Sequence, residues 1–318
     1  METERPSPRY SNIDLWDPAE ILEAMIEGQF AAVAAVRAAH PAIESAGLAI
    51  ERRLKHGGRL VYMGAGTSGR LAVQDGAELM PTFGWPQERL LLLMAGGKTA
   101  LLQAVEGAED QEAQAVKLAQ RHALGPADVA IAVAASGTTP FTVACMRAAK
   151  AAGALAIGVA NNRDTPLLRE ADHAIFLDTG PEAIAGSTRM KAGTAQRITL
   201  ILLSSLVMIS LGRVYDGLMV DVQASNKKLV RRSEKILARL SGRGHEDVQE
   251  ALRRAGGSVK LAFLLLQGYG RDEAQAALDR ADGHLRRAMS LIGEFHEDVL
   301  EGTQPTFSVG ASERATHE

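Results

Sequence analysis

Short apolar runs that alternate with helical segments constrain the fold of this chain more than any other feature. Five such runs occur, at residues 60–63, 90–94, 128–134, 154–159 and 174–177. Strands without polar alternation are typical of sheets that are covered on both faces. Helical patterns separate most of the runs, which predicts parallel pairing because parallel strands need crossover connections. We therefore expect an α/β fold with a doubly wound, flavodoxin-like parallel sheet.

Further helices flank the predicted sheet. Two helices precede the first strand, a long apolar helix is predicted over residues 187–211, and another follows at about 222–240. Three short helical segments after the hinge at 241–244 predict a small bundle. The expected parts are a main domain with the amino-terminal helices at 1–240, a three-helix domain at 241–290, and a helical extension with a loose tail at 291–318.

Charge and cysteine content narrow the possible partners. The 318 residues carry a formal net charge of -3, which gives no sign of a nucleic-acid partner. A single cysteine, Cys145, excludes an intrachain disulfide, so no oxidising compartment is needed. Residues 1–12 lack the apolar core of a signal peptide, and the apolar run at 198–211 is shorter than the ~20 residues that span a bilayer. We expect a soluble, cytoplasmic protein with no membrane partner.

A glycine-rich loop, GAGTSG at residues 64–69, follows the first strand and opens a helix. This context fits a dinucleotide-binding fingerprint, but the acidic residue expected after the second strand is replaced by Ala-Gly-Gly at 95–97. The hydroxyls of Thr67 and Ser68 instead favour a phosphate cradle beside the helix N-terminal amides, with Gly66, Thr67 and Ser68 as the binding residues. A tight turn that only packs the helix on the strand fits the glycines equally well.

A second hydroxyl-rich loop, ASGTTP at residues 135–140, follows the third strand. Its side chains Ser136, Thr138 and Thr139 lie at the sheet edge where α/β proteins bind ligands. Ser136 could equally be a helix N-cap. Two such loops in one sheet favour a phosphorylated ligand.

A third polar segment, GSTRMKAGTAQ at residues 186–196, precedes the long apolar helix. Positive side chains at a helix start oppose the helix dipole, so Arg189 and Lys191 suggest an anionic ligand near Ser187. A solvated first turn is the alternative, and the residues alone do not separate the two.

Carboxylates are the candidate chemical groups, because the histidines are scattered and form no metal-binding spacing. Glu78 is predicted near the end of a helix at 70–79 that Pro81 stops, and Glu106 and Glu109 lie on a later polar segment. Each of these carboxylates taken alone fits a surface charge. We expect no metal and no cofactor.

Several of these segments together resemble the N-acetylmuramic acid 6-phosphate etherases of the sugar isomerase (SIS) superfamily. The matching segments are GAGTSGR at 64–70, EGAED at 106–110, ASGTTP at 135–140 and GSTRMKAGTAQ at 186–196. The resemblance covers roughly residues 12–288, including a small UBA-like helical domain. The last string also occurs in glucokinase regulatory proteins, which bind sugar phosphates without turnover and carry two SIS domains. Room for only one SIS domain favours the enzyme.

The resemblance implies cleavage of the D-lactyl ether of N-acetylmuramic acid 6-phosphate, giving N-acetylglucosamine 6-phosphate and D-lactate. It places the catalytic pair on Glu78, the proton donor to the leaving lactate, and on Glu109, which handles the other proton or the water. The apolar residues Leu79, Met80 and Phe83 are expected to raise the pKa of Glu78. Several residues near Glu78 differ from the usual family string, and Leu79 and Met80 are among them. These differences leave the exact substrate preference open.

The distance between the phosphate loop and Glu78 bears on the assembly. A continuous helix from Ser68 to Glu78 would separate them by ~15 Å, which is too far for one hexose phosphate. Either the helix breaks, or one subunit's glutamate serves another's phosphate site, and we expect a homodimer with the site at the interface. An aldose–ketose isomerase, a non-catalytic sugar-phosphate sensor and, more distantly, a dehydrogenase are the alternatives.

Overall fold

A five-stranded parallel sheet organises the first part of the chain in the computed structural model, which describes residues 1–222 and 227–301. The strands are β1 Leu60–Gly64, β2 Leu90–Met94, β3 Val129–Val133, β4 Leu155–Ala160 and β5 His173–Phe176. Their order is β2-β1-β3-β4-β5, and each neighbouring pair is parallel. This confirms the predicted doubly wound, flavodoxin-like sheet. The strand order reverses between β1 and β3, so a ligand is expected at their carboxyl ends.

Fourteen α-helices occur in the described residues. They are α1 Pro18–Ala38, α2 His40–Leu54, α3 Gly66–Ala77, α4 Leu79–Phe83, α5 Thr99–Leu102, α6 Glu112–Arg121, α7 Pro140–Ala151, α8 Pro166–Glu170, α9 Lys191–Ser210, α10 Lys227–Ser241, α11 His245–Arg254, α12 Val259–Leu266, α13 Arg271–Arg280 and α14 Leu285–Glu301. A small antiparallel hairpin, β6 Val214–Tyr215 and β7 Leu218–Met219, follows α9 and was not predicted.

The sheet separates two apolar cores because alternate strand residues point to opposite faces. Tyr62 and Ile131 face a core that includes residues of α2 and α9, whereas Met63 and Ala132 face one that includes residues of α6 and α7. Cys145 of α7 is buried in the second core, and burial raises the pKa of its thiol to about 12. Cys145 is therefore a packing residue.

The helix α9 contains the apolar run that was expected to be too short for a bilayer. The helix Lys191–Ser210 is long and apolar enough to cross a membrane by length and composition. However, 56% of its most apolar window is buried inside the chain, as in the core helix of a soluble protein.

The chain divides into two compact units, Met1–Ile236 and Leu237–Glu318. The second unit contains α11, α12 and α13, which bury Val248, Phe263 and Leu278 among themselves and their neighbours. The predicted loose tail lies outside the described residues, as does the stretch 223–226 at the start of the helix predicted from residue 222.

Candidate active site

The loop after β1 brings the start of α3 against the end of the strand. A Cβ built on Gly64 would lie 2.9 Å from Cα of Gly69, so both positions need glycine for this close approach. Ala65, the N-cap residue of α3, gives no side-chain cap. The first turn therefore offers its amides beside the hydroxyls of Thr67 and Ser68, the arrangement that binds phosphate groups. Gly64 and Gly69 thus serve packing, whereas a Cβ on Gly66 would meet nothing within 4 Å, and the hydroxyls remain available for a ligand.

The second hydroxyl-rich loop lies beside the first, because Gly64 pairs with Val133 in the parallel register. The Oγ of Ser136 lies 3.1 Å from Oγ1 of Thr139 and accepts the N–H of Thr138 at 3.2 Å. Thr139 occupies the N-cap position of α7 and makes no side-chain cap bond. The alternative of Ser136 as the N-cap is therefore wrong, and both loops present hydroxyls at the same sheet edge.

The helix α9 begins at Lys191 rather than at Ser187, which lies in turns before it. Its N-terminus is closed by Glu182, whose carboxylate accepts the N–H of Lys191 at 3.2 Å and of Ala192 at 2.9 Å. Glu182 is 1% exposed, and burial raises its pKa. This buried carboxylate supplies the negative charge that the helix start requires, so these two amides are not open to a phosphate.

The start of α9 also lies close to the phosphate loop. A Cβ built on Gly193 would lie 3.6 Å from Cγ2 of Thr67. The side chain of Lys191 is buried along α1, near Gly28, and burial lowers its pKa. The structure thus brings residues 64–69 beside both 135–140 and the start of α9.

Glu78 lies away from these loops. The helix α3 is unbroken from Gly66 to Ala77, and Glu78 joins it to α4. We expected Pro81 to stop a helix, and this was wrong. Pro81 lies in the first turn of α4, where its missing N–H costs nothing. At 1.5 Å per residue, Ser68 and Glu78 are ~15 Å apart along α3. The described helix α3 has no break that would bring Ser68 and Glu78 together within one chain.

The predicted apolar surrounding of Glu78 is wrong for the isolated chain. Leu79 is 2% exposed and belongs to the core, and Phe83 packs against the same core. The Glu78 side chain is exposed. Adjacent helical positions point about 100° apart, so the apolar neighbours turn inward while the carboxylate faces outward.

The end of α3 is held by a buried polar network. Asp75 accepts the hydroxyl of Tyr62 at 2.8 Å and that of Ser204 at 3.3 Å, and Arg197 of α9 lies 3.8 Å from it. These contacts join β1, α3 and α9 one turn before Glu78. The backbone that carries Glu78 is therefore fixed on its amino-terminal side.

The carboxyl side of Glu78 is held by a second contact. Arg213 donates hydrogen bonds to the carbonyl oxygens of Phe83 at 2.8 Å and Gly84 at 3.1 Å, and its guanidinium lies 5.1 Å from the ring of Trp85. Both supports are long-range contacts, which sequence periodicity does not reveal.

Replacing Asp75 with asparagine is expected to change how stability depends on pH. Burial raises the pKa of Asp75, although bonds from Tyr62 and Ser204 oppose the rise. The stability linked to its proton is fully present below the unfolded pKa near 3.8 and is lost as pH rises through the folded pKa. As the pH rises from 4 to 7, the Tm of the wild type should therefore fall relative to the Tm of the variant. Thermal unfolding of both proteins across this range measures it, and parallel curves would contradict it.

Glu109 lies on a 3-10 helix, Ala108–Asp110, after a left-handed glycine at 107. Ala108 is buried in the core that includes α7, whereas Glu109 is exposed. Arg70 donates to the carbonyl oxygens of Ala100 at 2.9 Å and Gln103 at 3.2 Å, which ties α3 to the segment leading to Glu109. The resemblance included Arg70 but assigned it no role.

Comparisons with known proteins connect these features to a family. Residues 43–150 match the glucokinase regulatory protein N-terminal SIS domain, and residues 108–206 match the SIS domain. The N-acetylmuramic acid 6-phosphate etherase of Deinococcus radiodurans is 51% identical over 264 residues, covering 83% of this chain and 87% of that protein. This chain belongs to the N-acetylmuramic acid 6-phosphate etherase family.

A second etherase agrees with this membership. The etherase of Streptomyces avermitilis is 44% identical and covers 84% of this chain and 86% of its own length. Among solved structures, a phosphoheptose isomerase from Francisella tularensis has a TM-score of 0.45 at 18% identity and covers 61% of this chain and 98% of that chain. Within residues 1–222 and 227–301 of this etherase family member, no three His, Cys, Asp or Glu side chains are grouped to hold a metal ion.

Proposed function

We propose that this protein cleaves the D-lactyl ether of N-acetylmuramic acid 6-phosphate in the cytoplasm. The observation that carries this proposal is the 51% identity to an etherase over 83% of the chain. The activity requires a phosphate site, and two adjacent hydroxyl-bearing loops at the switch point of the sheet can form one.

The proposed phosphate and sugar contacts come from the three polar segments. They are Gly66, Thr67, Ser68, Ser136, Thr138, Thr139, Ser187 and Lys191. The uncapped first turn of α3 favours the phosphate near Thr67 and Ser68, because helix amides there carry no side-chain partner. Glu182 already closes the start of α9, so Ser187 and Lys191 act through their side chains.

The chemistry suits a pair of carboxylates. In the open-chain sugar, the aldehyde at C1 acidifies the proton on C2, and a base removes it. The C3–O bond then breaks, with a proton supplied by Glu78 to the departing lactate oxygen. Water then adds to the resulting double bond, with its hydroxyl at C3 and a proton at C2. Glu109 is the second carboxylate of the pair and handles the other proton or the water. The net reaction consumes one water and gives N-acetylglucosamine 6-phosphate and D-lactate.

Two copies of the chain are proposed to build each site. The unbroken α3 holds Glu78 ~15 Å from Ser68, so a phosphosugar bound at one loop needs a glutamate from elsewhere. Helix α1 also carries an exposed apolar row next to a groove of about 980 Å³ between α1, α2 and α9. The row consists of Leu22, Ile26, Phe30 and Val33. Such a row on a helix favours a second copy as its cover.

Purified protein is expected to release D-lactate from N-acetylmuramic acid 6-phosphate, with N-acetylglucosamine 6-phosphate as the other product. Enzymatic lactate determination with a chelator present measures the reaction, and product analysis separates it from an aldose–ketose isomerisation. Binding of the phosphosugar without turnover would contradict the proposal. It would favour a sensor, the class suggested by the regulatory-protein match at residues 43–150.

A further inference from the structure

Residues 1–5, here called the strap, cross the carboxyl edge of the sheet. Their central part is a short 3-10 helix, Glu2–Glu4. Thr3 is fully buried at 0% exposure, while the neighbouring Glu2 and Glu4 are exposed. A threonine buried so completely between exposed neighbours is held by specific contacts on the sheet edge.

The first contact joins the strap to the loop after β4. The carbonyl oxygen of the Asn162 side chain accepts the N–H of Thr3 at 3.3 Å, and its amide nitrogen donates to the Thr3 hydroxyl at 2.9 Å. The same amide nitrogen donates to the carbonyl of Ala135 at 2.9 Å. Asn162 therefore links Thr3 directly to the residue before Ser136.

The second contact joins the strap to the segment before α9. The N–H of Gly186 donates to the carbonyl oxygen of Thr3 at 2.9 Å. The φ of 78° at Gly186 favours glycine, and a Cβ there would lie 2.8 Å from a carboxylate oxygen of Glu4. Gly186 directly precedes Ser187, so the strap fixes the turn that carries this hydroxyl.

The strap also borders an open space at the sheet edge. A cavity of about 760 Å³ is lined by Met1 and Glu2 of the strap, by Thr138 of the second hydroxyl-rich loop, and by Asn162. Residues 1–2 therefore form one wall of a cavity that is also lined by Thr138, a proposed substrate-binding residue.

We propose that Thr3 is a positioning residue for phosphosugar binding. Its contacts hold the Ser136 loop, through Asn162, and the Ser187 turn, through Gly186, in the arrangement that binds the ligand. This inference rests on the proposed function. Without the Thr3 hydroxyl, a buried N–H of Asn162 loses its partner, which destabilises the docked strap. The share of molecules with both loops in place then falls, and apparent affinity falls in proportion.

Thr3→Val, which keeps the shape of the side chain and removes the hydroxyl, is expected to raise KM about tenfold and to change kcat less than about twofold. Thr3→Ser, which restores a hydroxyl, should return KM to the wild-type value. Ser7→Ala, in the same amino-terminal region and without a side-chain cap bond, is the matched control and should leave KM unchanged. Steady-state lactate release measures these constants, and hydrogen exchange at the Gly186 amide should become faster only in Thr3→Val.

An unchanged KM in Thr3→Val, or a lower Tm without a change in KM, would overturn the positioning role. A titration with N-acetylglucosamine 6-phosphate, in which the change in Tm reports binding, tests binding separately from turnover. If the wild-type protein releases no lactate, the proposed reaction fails. The titration still decides the inference, because Thr3→Val must bind the product about tenfold more weakly than wild type.

Discussion

Glu78→Gln is expected to lower kcat for lactate release by about a thousandfold, within the range that general acids contribute. Glutamine keeps the size and polarity of the side chain but cannot donate the proton that the leaving lactate oxygen needs. KM should change by less than about threefold, because glutamine keeps the size and polarity of the side chain and the proposed phosphate contacts of Thr67 and Ser68 are unaltered. The side chain is exposed in the single chain, so folding should be unaffected.

The control for this substitution is Glu88→Gln, which removes an exposed carboxylate from the 3-10 helix Gln87–Arg89 and should leave the rate unchanged. Glu109→Gln and Glu106→Gln form a second matched pair on one exposed segment, and only Glu109→Gln should be slow. Single-turnover measurement of lactate separates chemistry from product release. Activity above about a tenth of wild type in Glu78→Gln would contradict the assignment of Glu78 as the acid.

Two variants that are each inactive should recover activity when they are mixed. One is Glu78→Gln, and the other is Thr67→Val combined with Ser68→Ala, which removes both hydroxyls of the phosphate loop. If each site uses the loop of one copy and Glu78 of the other, a mixed dimer has one intact site. Random exchange in a two-fold dimer makes about half of the dimers mixed, so about a quarter of wild-type activity is expected.

Recovery is measured by unfolding and refolding the two variants together, with each variant treated alone as the control. Activity should be greatest at equal amounts of the two proteins and should vanish when either is absent. If every site lies within one chain, each molecule in the mixture keeps its own defect. Activity that stays at the level of the separate variants would therefore contradict a shared site.

The amino-acid sequence was sufficient to predict the sheet, its parallel pairing and the hydroxyl-bearing loops at its carboxyl edge. These features depend on near neighbours in the chain: an apolar run becomes a buried strand, and glycine with hydroxyls after it makes the turn into a helix. The separation of Ser68 from Glu78 could also be predicted from the sequence, because the rise per residue of a helix is constant. The family motifs added the candidate pair Glu78 and Glu109, which no local pattern distinguishes from surface charges.

The groups that support these elements became visible in the folded chain. Glu182 closes α9, Asp75 anchors the end of α3, and Thr3 pairs with Asn162, which is 159 residues away in the chain. The tertiary structure also showed that Leu79 faces the core and leaves Glu78 exposed. A buried polar atom pairs with whatever partner the folded chain brings within about 3 Å. Periodicity reports which face of an element is buried but not what that face meets, so these pairings become visible only in three dimensions.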